Sequence, residues 1–158
     1  MKTDFFFNNH KLGTAKLEDR LRQFNSFDEF EKKFPQEFLN DDTRVGDYLF
    51  DLWMKYDAKP VSVLSAEAGQ DPSYLRKIIN DRNKNPKTPK RDALICFCLA
   101  MRTSLEELQC LLKYAGYQPL YVRRKRDVII WYGIMQHEDI QIIDNNLRNR
   151  GLTPLLKD

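Results

Sequence analysis

The sequence has few of the residues from which metal, disulfide or catalytic sites are built. Only two histidines and three cysteines occur among 158 residues. Cys96, Cys98 and Cys110 lie in apolar surroundings, and on a helix the first two would point in quite different directions. An odd number of cysteines without zinc-ligand spacing predicts buried free thiols, with no metal site and no cofactor.

Long apolar runs and enzyme motifs are equally scarce. The apolar run at residues 5–7 ends at Asn8, which makes it too short for a signal-peptide core or a membrane span. No glycine-rich phosphate loop is found, and neither His10 nor His137 lies near a nucleophile pattern. We therefore predict a cytoplasmic protein that is not an enzyme, does not bind a membrane and takes no small-molecule ligand.

Positive charge is concentrated in one part of the chain. Residues 1–71 carry 10 Lys and Arg against 14 Asp and Glu, whereas residues 72–158 carry 16 against 9. Residues 72–92 alone supply 7 cations and 2 anions. The overall composition, 42% apolar and 31% charged, is typical of a globular chain. A basic cluster on such a chain favours nucleic acid as the partner.

Helix signals repeat along the chain and strand signals are rare, which predicts an all-α fold. An amphipathic helix is expected over residues 14–24, and Ser26 with Glu29 forms a capping box for a second helix. Residues 41–43 are expected to cap a longer helix that runs to about Tyr56. Residues 1–42 are thus predicted to be an acidic helical leader that packs on the rest.

The stretch AEAGQDPSYLRKIINDRNKNP, residues 66–86, predicts two short helices joined by a tight turn. Gly69 can adopt the left-handed conformation that ends a helix. Asp71 is expected to cap the next helix, and Pro72 suits its first turn. Two helices so joined, with a basic second helix, are the helix-turn-helix arrangement, in which the second helix fits the DNA major groove.

Particular residues carry a resemblance to a known family. The matching positions are Leu64, Ser65, Ala68, Gly69, Pro72, Ser73, Tyr74, Leu75 and Ile78. They resemble the lambda-repressor/Cro-like helix-turn-helix family, also called the xenobiotic-response-element family. The segment KRDALICFCLAMRTSLEEL, which follows, is similar to the end of that family's five-helix core, so the resemblance spans about residues 44–115. The wider pattern resembles a subgroup of uncharacterised bacterial regulators.

The resemblance implies a five-helix DNA-binding domain over residues 43–121 and a homodimer that binds palindromic half-sites. The function that the resemblance implies is sequence-specific binding of double-stranded DNA, as a transcriptional regulator, through a recognition helix at about residues 72–81. Base contacts are expected from Ser73, Tyr74, Arg76, Lys77 and Asn80. Phosphate contacts are expected from Arg82, Lys84, Lys87 and Lys90.

The last third of the chain contains an internal repeat. Residues 90–121, the first copy, align without a gap to residues 125–156, the second copy, at an offset of 35. Each copy predicts two helices, a glycine stop and a Pro-Leu anchor, and such hairpins cannot bury both faces alone. The C-terminal hairpin, residues 122–158, is therefore expected to pack on the first copy or on another chain. Its candidate dimer residues are Ile129, Ile130, Trp131, Tyr132, Ile134, Ile142 and Ile143.

Two features leave alternatives open. Arg123, Arg124 and Lys125 form either a second basic patch for phosphates or a polar linker, and in the second case the residues Arg126 and Asp127 cap the next helix. Val61 and Gln70 depart from the family pattern, which keeps a protein-binding adaptor or antitoxin-like module in view, with DNA binding secondary or absent. Binding of single-stranded RNA ranks lower because no platform of stacking aromatics is evident.

Overall fold

A computed structural model describes residues 14–35, 37–38, 44–81 and 88–158. No strand occurs among these residues, and the predicted all-α fold is confirmed for them. No helix in the described ranges is long and apolar enough to cross a membrane. The chain divides into two compact units, Met1–Thr43 and Arg44–Asp158.

The N-terminal unit contains α1 (Thr14–Arg22) and α2 (Phe27–Lys33). Helix α1 ends two residues before the predicted end at Phe24. Ser26 Oγ accepts a hydrogen bond from the backbone amide of Glu29 at 3.2 Å, as the capping pattern predicts. Phe30 is buried, and its ring meets that of Phe24 edge-on at 5.6 Å between centroids. A small aromatic cluster therefore holds α1 and α2 together.

The second unit begins with α3 (Val45–Lys55), α4 (Val61–Glu67) and α5 (Pro72–Asn80). The N-cap position of α3 is held by Arg44, whose side chain makes no capping hydrogen bond. The residues predicted to cap this helix, 41–43, lie outside the described residues. Helix α5 packs on both α3 and α4.

Four further helices complete this unit: α6 (Arg91–Met101), α7 (Leu105–Tyr114), α8 (Lys125–Met135) and α9 (Ile140–Asn149). Helix α6 is the most deeply buried of the described helices, and all its residues from 93 to 101 are buried. It owes this burial to packing against α4, α7 and α9. Residues 44–121 and 122–158, predicted as a core domain and a C-terminal hairpin, thus lie in one compact unit.

Equivalent positions of the two copies adopt the same backbone conformations. Gly116 and Gly151 follow the second helix of each copy with φ of +80° and +67°, which confirms the predicted glycine stops. The turn between the helices passes through Arg102 in the first copy and His137 in the second, with φ of +59° and +53°. Both non-glycine residues carry modest strain there, and the repeat preserves it.

The Pro-Leu anchor of each copy is held by a side chain at an equivalent position. Gln109 Oε1 accepts a hydrogen bond from the amide of Leu120 at 2.7 Å. Thirty-five residues later, Asp144 Oδ1 accepts one from the amide of Leu155, also at 2.7 Å. Each hairpin therefore ties its own trailing segment back to its second helix.

The two copies pack on each other through reciprocal contacts. Helix α6 meets α9, and α7 meets α8. Arg91 pairs with Asp127 at 3.3 Å, and Arg126 pairs with Asp92 at 2.9 Å. Contacts that occur once in each direction are those that a local two-fold axis produces. The expected packing of the second copy on the first is confirmed. The alternative in which Arg126 and Asp127 cap the next helix is wrong, because Arg124 holds the N-cap position without a capping side-chain bond and Arg126 reaches Asp92 of the other copy.

Candidate nucleic-acid interface

The turn between α4 and α5 favours glycine through its backbone conformation and a close neighbour. Gly69 has φ of +66°, and a Cβ placed there would lie 2.6 Å from Cδ2 of Leu156. The amide of Gln70 donates to the carbonyl of Ser65 at 2.8 Å and closes the turn. The predicted left-handed glycine is confirmed, and its missing side chain also admits the segment that follows α9.

Asp71 fixes the first turn of α5. Its Oδ1 accepts hydrogen bonds from the amide of Ser73 at 2.8 Å and from Ser73 Oγ at 2.7 Å. These hydrogen bonds from Ser73, assisted by the charge of Arg76, hold the pKa of Asp71 below its ordinary value. Asp71 and Pro72 therefore begin the helix as the sequence predicts.

Helix α5 has an apolar inner face and a polar outer face. Leu75, Ile78 and Ile79 are buried. The exposed side chains are Ser73, Arg76, Lys77 and Asn80. Residues three and four apart share one side of a helix, so these four lie together. No ion pair within the described part of the chain involves either cation of this set.

Tyr74, the fifth base-contact candidate, is half-buried and packs toward α6. Its ring stacks on Phe97 of α6 with centroids 6.4 Å apart and planes at 20°. Its hydroxyl accepts a hydrogen bond from the amide of Lys90 at 3.0 Å. Tyr74 lies four residues before the buried Ile78, and this spacing is the sequence signal that places it on the inner face.

The phosphate-contact candidates are only partly visible in the structure. Arg82, Lys84 and Lys87 lie outside the described residues. Lys90 is exposed at the N-cap position of α6, beside the start of α5, because its amide binds Tyr74. The structure thus brings Lys90 to the end of α5 that carries Ser73.

A cleft of about 590 Å³ separates the start of α5 from the segment after α9. One wall contains Asp71, Tyr74 and Lys90, and the other is formed by residues 153–158. The sequence did not predict that residues 153–158 lie beside this turn. The Pro-Leu anchor indicates that the segment packs on the protein, but it does not indicate on which part.

The second basic patch, Arg123, Arg124 and Lys125, is exposed at the beginning of α8. Arg124 holds the N-cap position of that helix without a capping side-chain bond. It borders a smaller cleft of about 260 Å³ together with Arg91 and Asp127. The patch therefore belongs to the junction between the two copies.

Other reactive groups of the second unit are buried in structural positions. Desolvation raises the pKa of Cys96 and of Cys98 to about 12, and all three cysteines are free, although Cys110 is only half-buried.

Glu107 is buried and accepts hydrogen bonds from Lys55 Nζ at 2.8 Å and from the hydroxyl of Tyr56. It joins α3 to α7, a role that its position at a helix start did not reveal. No cluster of metal-ligating side chains occurs in the described ranges.

No protein-family model matches the chain, and no curated protein and no solved structure is significantly similar to it. The likeness to lambda-repressor/Cro-like proteins thus depends on the residues quoted above, and the five-helix core stays a prediction. What the geometry provides is a capped helix, α5, that is anchored on one face and basic on the other.

Proposed function

We propose that the chain binds double-stranded DNA sequence-specifically through the outer face of α5 and acts as a transcriptional regulator. One observation carries this proposal: the side chains of Ser73, Arg76, Lys77 and Asn80 are exposed together on a helix whose opposite face is buried. An α-helix fits the major groove, where each base pair presents its own pattern of donors and acceptors.

The side chains on this face suit base edges. Arg76 or Lys77 would donate to O6 and N7 of guanine, and Asn80 would bind N6 and N7 of adenine. Four residues separate Arg76 from Asn80, a rise of roughly 6 Å along the helix. This rise is close to two base-pair steps of about 3.4 Å each. The face is therefore long enough to read neighbouring base pairs.

The surroundings of α5 favour binding because they hold the helix in one position. Asp71 fixes its first turn, and Tyr74 joins it to α6 through Phe97 and Lys90. A helix that is already ordered loses less conformational freedom when it enters a groove. The free energy of each base contact is then available for affinity and specificity.

Lys90 and the residues between 82 and 87 would supply the electrostatic part of binding. Each phosphate that a lysine or arginine neutralises releases counterions and contributes about −0.9 to the slope of log K against log salt. Replacing Lys90 by alanine should therefore weaken binding to all duplexes alike and reduce the slope by about one. Replacing Arg76 should instead relax the preference at one base pair.

The test is a selection from a random duplex library. Wild type should enrich one motif, and Arg76→Ala combined with Lys77→Ala should lose it. The matched control is Lys16→Ala combined with Arg20→Ala, which removes two exposed cations from α1 of the other unit. The control has the same net charge as the test variant and should enrich the wild-type motif.

Two results would contradict the proposal. If the double variant on α5 enriches the wild-type motif, α5 does not read the sequence. If wild type enriches nothing and binds duplexes only weakly at physiological salt, regulation through DNA is wrong. The adaptor hypothesis would then lead, and its apolar interface should respond little to salt.

A further inference from the structure

Helix α8 has an apolar side that other described helices leave open. Tyr132 is 60% exposed and Met135 is 53% exposed, while Val128 is half-buried. These positions are spaced four and three residues apart, so they share one side of the helix. Large exposed apolar side chains that adjoin one another are typical of an interaction surface.

The first copy shows what kind of neighbour this side of α8 can pack against. The equivalent residues of α6, 35 positions earlier, are Ala93, Phe97 and Ala100, and all three are buried. Helix α4 packs on α6, and Tyr74 of α5 stacks on Phe97. The principal neighbours of α8 are only α7 and α9. The second copy thus retains a packing face without the helices that cover it in the first.

The charges at the two ends of α8 are opposite. Arg123, Arg124 and Lys125 precede the helix or begin it, and Glu138 and Asp139 follow its end. Asp139 is paired with Arg102 at 2.6 Å, so the net negative charge at that end comes from Glu138. The helix has 11 residues, a length of roughly 16 Å. An antiparallel second α8 would place the basic end of one helix against the acidic end of the other, whereas a parallel one would bring like charges together.

We propose that two copies of this chain associate through α8, with the two helices antiparallel across a two-fold axis near Tyr132. Tyr132 would then meet its counterpart, and Val128 would meet Met135 of the partner subunit. This contact is isologous and closed, so it gives dimers and no larger assemblies. The association itself needs no DNA. The inference rests on the proposed function only because a dimer would present two α5 helices to a palindromic site.

The arrangement can be tested by cysteine cross-linking of the full chain. Val128→Cys and Gln136→Cys, which lie four residues before and four residues after Tyr132 on the same side of α8, are prepared separately with Cys110→Ala in each. Cys96 and Cys98 are buried and should stay unreactive. A disulfide requires Cα atoms within about 7 Å. The antiparallel dimer predicts that the mixture cross-links strongly and that each variant alone does not.

Tyr132→Cys is the companion variant, since a residue near the two-fold axis should cross-link with itself. A parallel contact would give the reverse result: Val128→Cys and Gln136→Cys would each cross-link alone. That pattern, or cross-linking that is equal in all three samples, would overturn the proposed geometry.

Sedimentation equilibrium without DNA tests the association independently. Wild type should sediment as a dimer, and Tyr132→Glu combined with Met135→Glu should weaken the dimer at least 100-fold while circular dichroism stays unchanged. Val63→Glu, at a similarly exposed apolar position on α4, is the control and should remain dimeric. A monomeric wild type, or a dimer that survives the double substitution, would overturn the inference.

These outcomes distinguish a failure of the proposed dimer from a failure of the proposed DNA binding. A monomer that still selects a single, non-palindromic DNA motif would refute the α8 contact and leave the proposed function intact. A dimer of the predicted geometry that selects no DNA would do the opposite.

Discussion

The two copies of the 35-residue unit share a backbone but differ in what covers them. Ile95 and Ile130 occupy equivalent positions and are both fully buried, although α8 lacks the α4 and α5 neighbours that α6 has. Phe97 and Tyr132 are also equivalent, yet one is buried under α5 and the other is exposed. Burial at the first pair is a property of the unit itself, whereas burial at the second depends on a neighbour.

The way the two copies pack explains why two hairpins are enough to bury each other's inner face. In a solenoid each unit offers different faces to its two neighbours, so the terminal units retain open faces. Here the reciprocal pairs Arg91–Asp127 and Arg126–Asp92 show that both copies use the same face. Such a contact closes after two units. The period near that of helical-repeat proteins therefore does not imply a longer array.

The largest effect is expected from breaking one member of the reciprocal pairs. The side chain of Asp127 is 4% exposed and also accepts the amide of Tyr121 at 2.9 Å, whereas that of Asp92 is 42% exposed. Asp127→Asn leaves Arg91 without its buried counterion and should cost about 2 kcal/mol or more. Asp92→Asn should cost less than about 1 kcal/mol. Urea unfolding of the two variants measures the difference.

A double-mutant cycle is the control for this comparison. Arg91→Ala with Asp127→Ala should be less destabilising than the sum of the single substitutions, because the cost lies in the unpaired partner. Equal losses for Asp92→Asn and Asp127→Asn would show that burial does not distinguish the pairs.

The next effect concerns the anchors, Gln109 and Asp144, of which only the second titrates. Burial alone would raise the pKa of Asp144, but the hydrogen bonds from Arg148 and from the amides of Leu156 and Leu155 outweigh it and hold that pKa below its ordinary value. Its stabilisation is therefore fully present above the unfolded pKa of about 3.9 and is lost as pH falls through the lower folded pKa.

Asp144→Asn should consequently destabilise the protein by about 1–3 kcal/mol at pH 7. The loss should shrink as pH falls below the unfolded pKa toward the lower folded pKa, because wild-type Asp144 then begins to be protonated as well. Gln109→Ala is the matched variant in the first copy, and its cost should be the same at both values of pH. Urea unfolding at pH 7, 4 and 2 makes the measurement. A cost of Asp144→Asn that does not change with pH would refute the carboxylate's contribution.

A smaller effect should come from Gly133, where the second copy departs from Cys98 of the first. A Cβ at position 133 would overlap Cδ1 and Cγ1 of the buried Ile143. Gly133→Ala should therefore destabilise by about 1 kcal/mol, although alanine normally favours a helix. Ile143→Ala removes both overlapping atoms, so the double variant should cost less than the sum of the single ones. A stabilised Gly133→Ala variant would show that the helices can separate freely.

Much of the local structure could be predicted because its causes are local. Asp71 caps α5 and Gly69 ends the turn through contacts within a few residues, and the glycine stops follow from backbone conformation. The outer face of α5 also followed from helical spacing. The partner of Arg126 and the packing of Leu156 on Gly69 could not be predicted, because both depend on residues that only the tertiary fold brings close.

The smallest expected difference concerns whether the copies unfold together. Cys96 and Cys98 report on α6, because a thiol reagent reaches them only after unfolding, and Trp131 reports on α8 by fluorescence. With Cys110→Ala and Trp53→Phe in the background, both signals should change at the same urea concentration. The reciprocal contacts bury one face of each copy against the other, so neither hairpin should survive alone. If the fluorescence of Trp131 changes at lower urea than the thiols become reactive, the second copy unfolds first and the pair is not one cooperative unit.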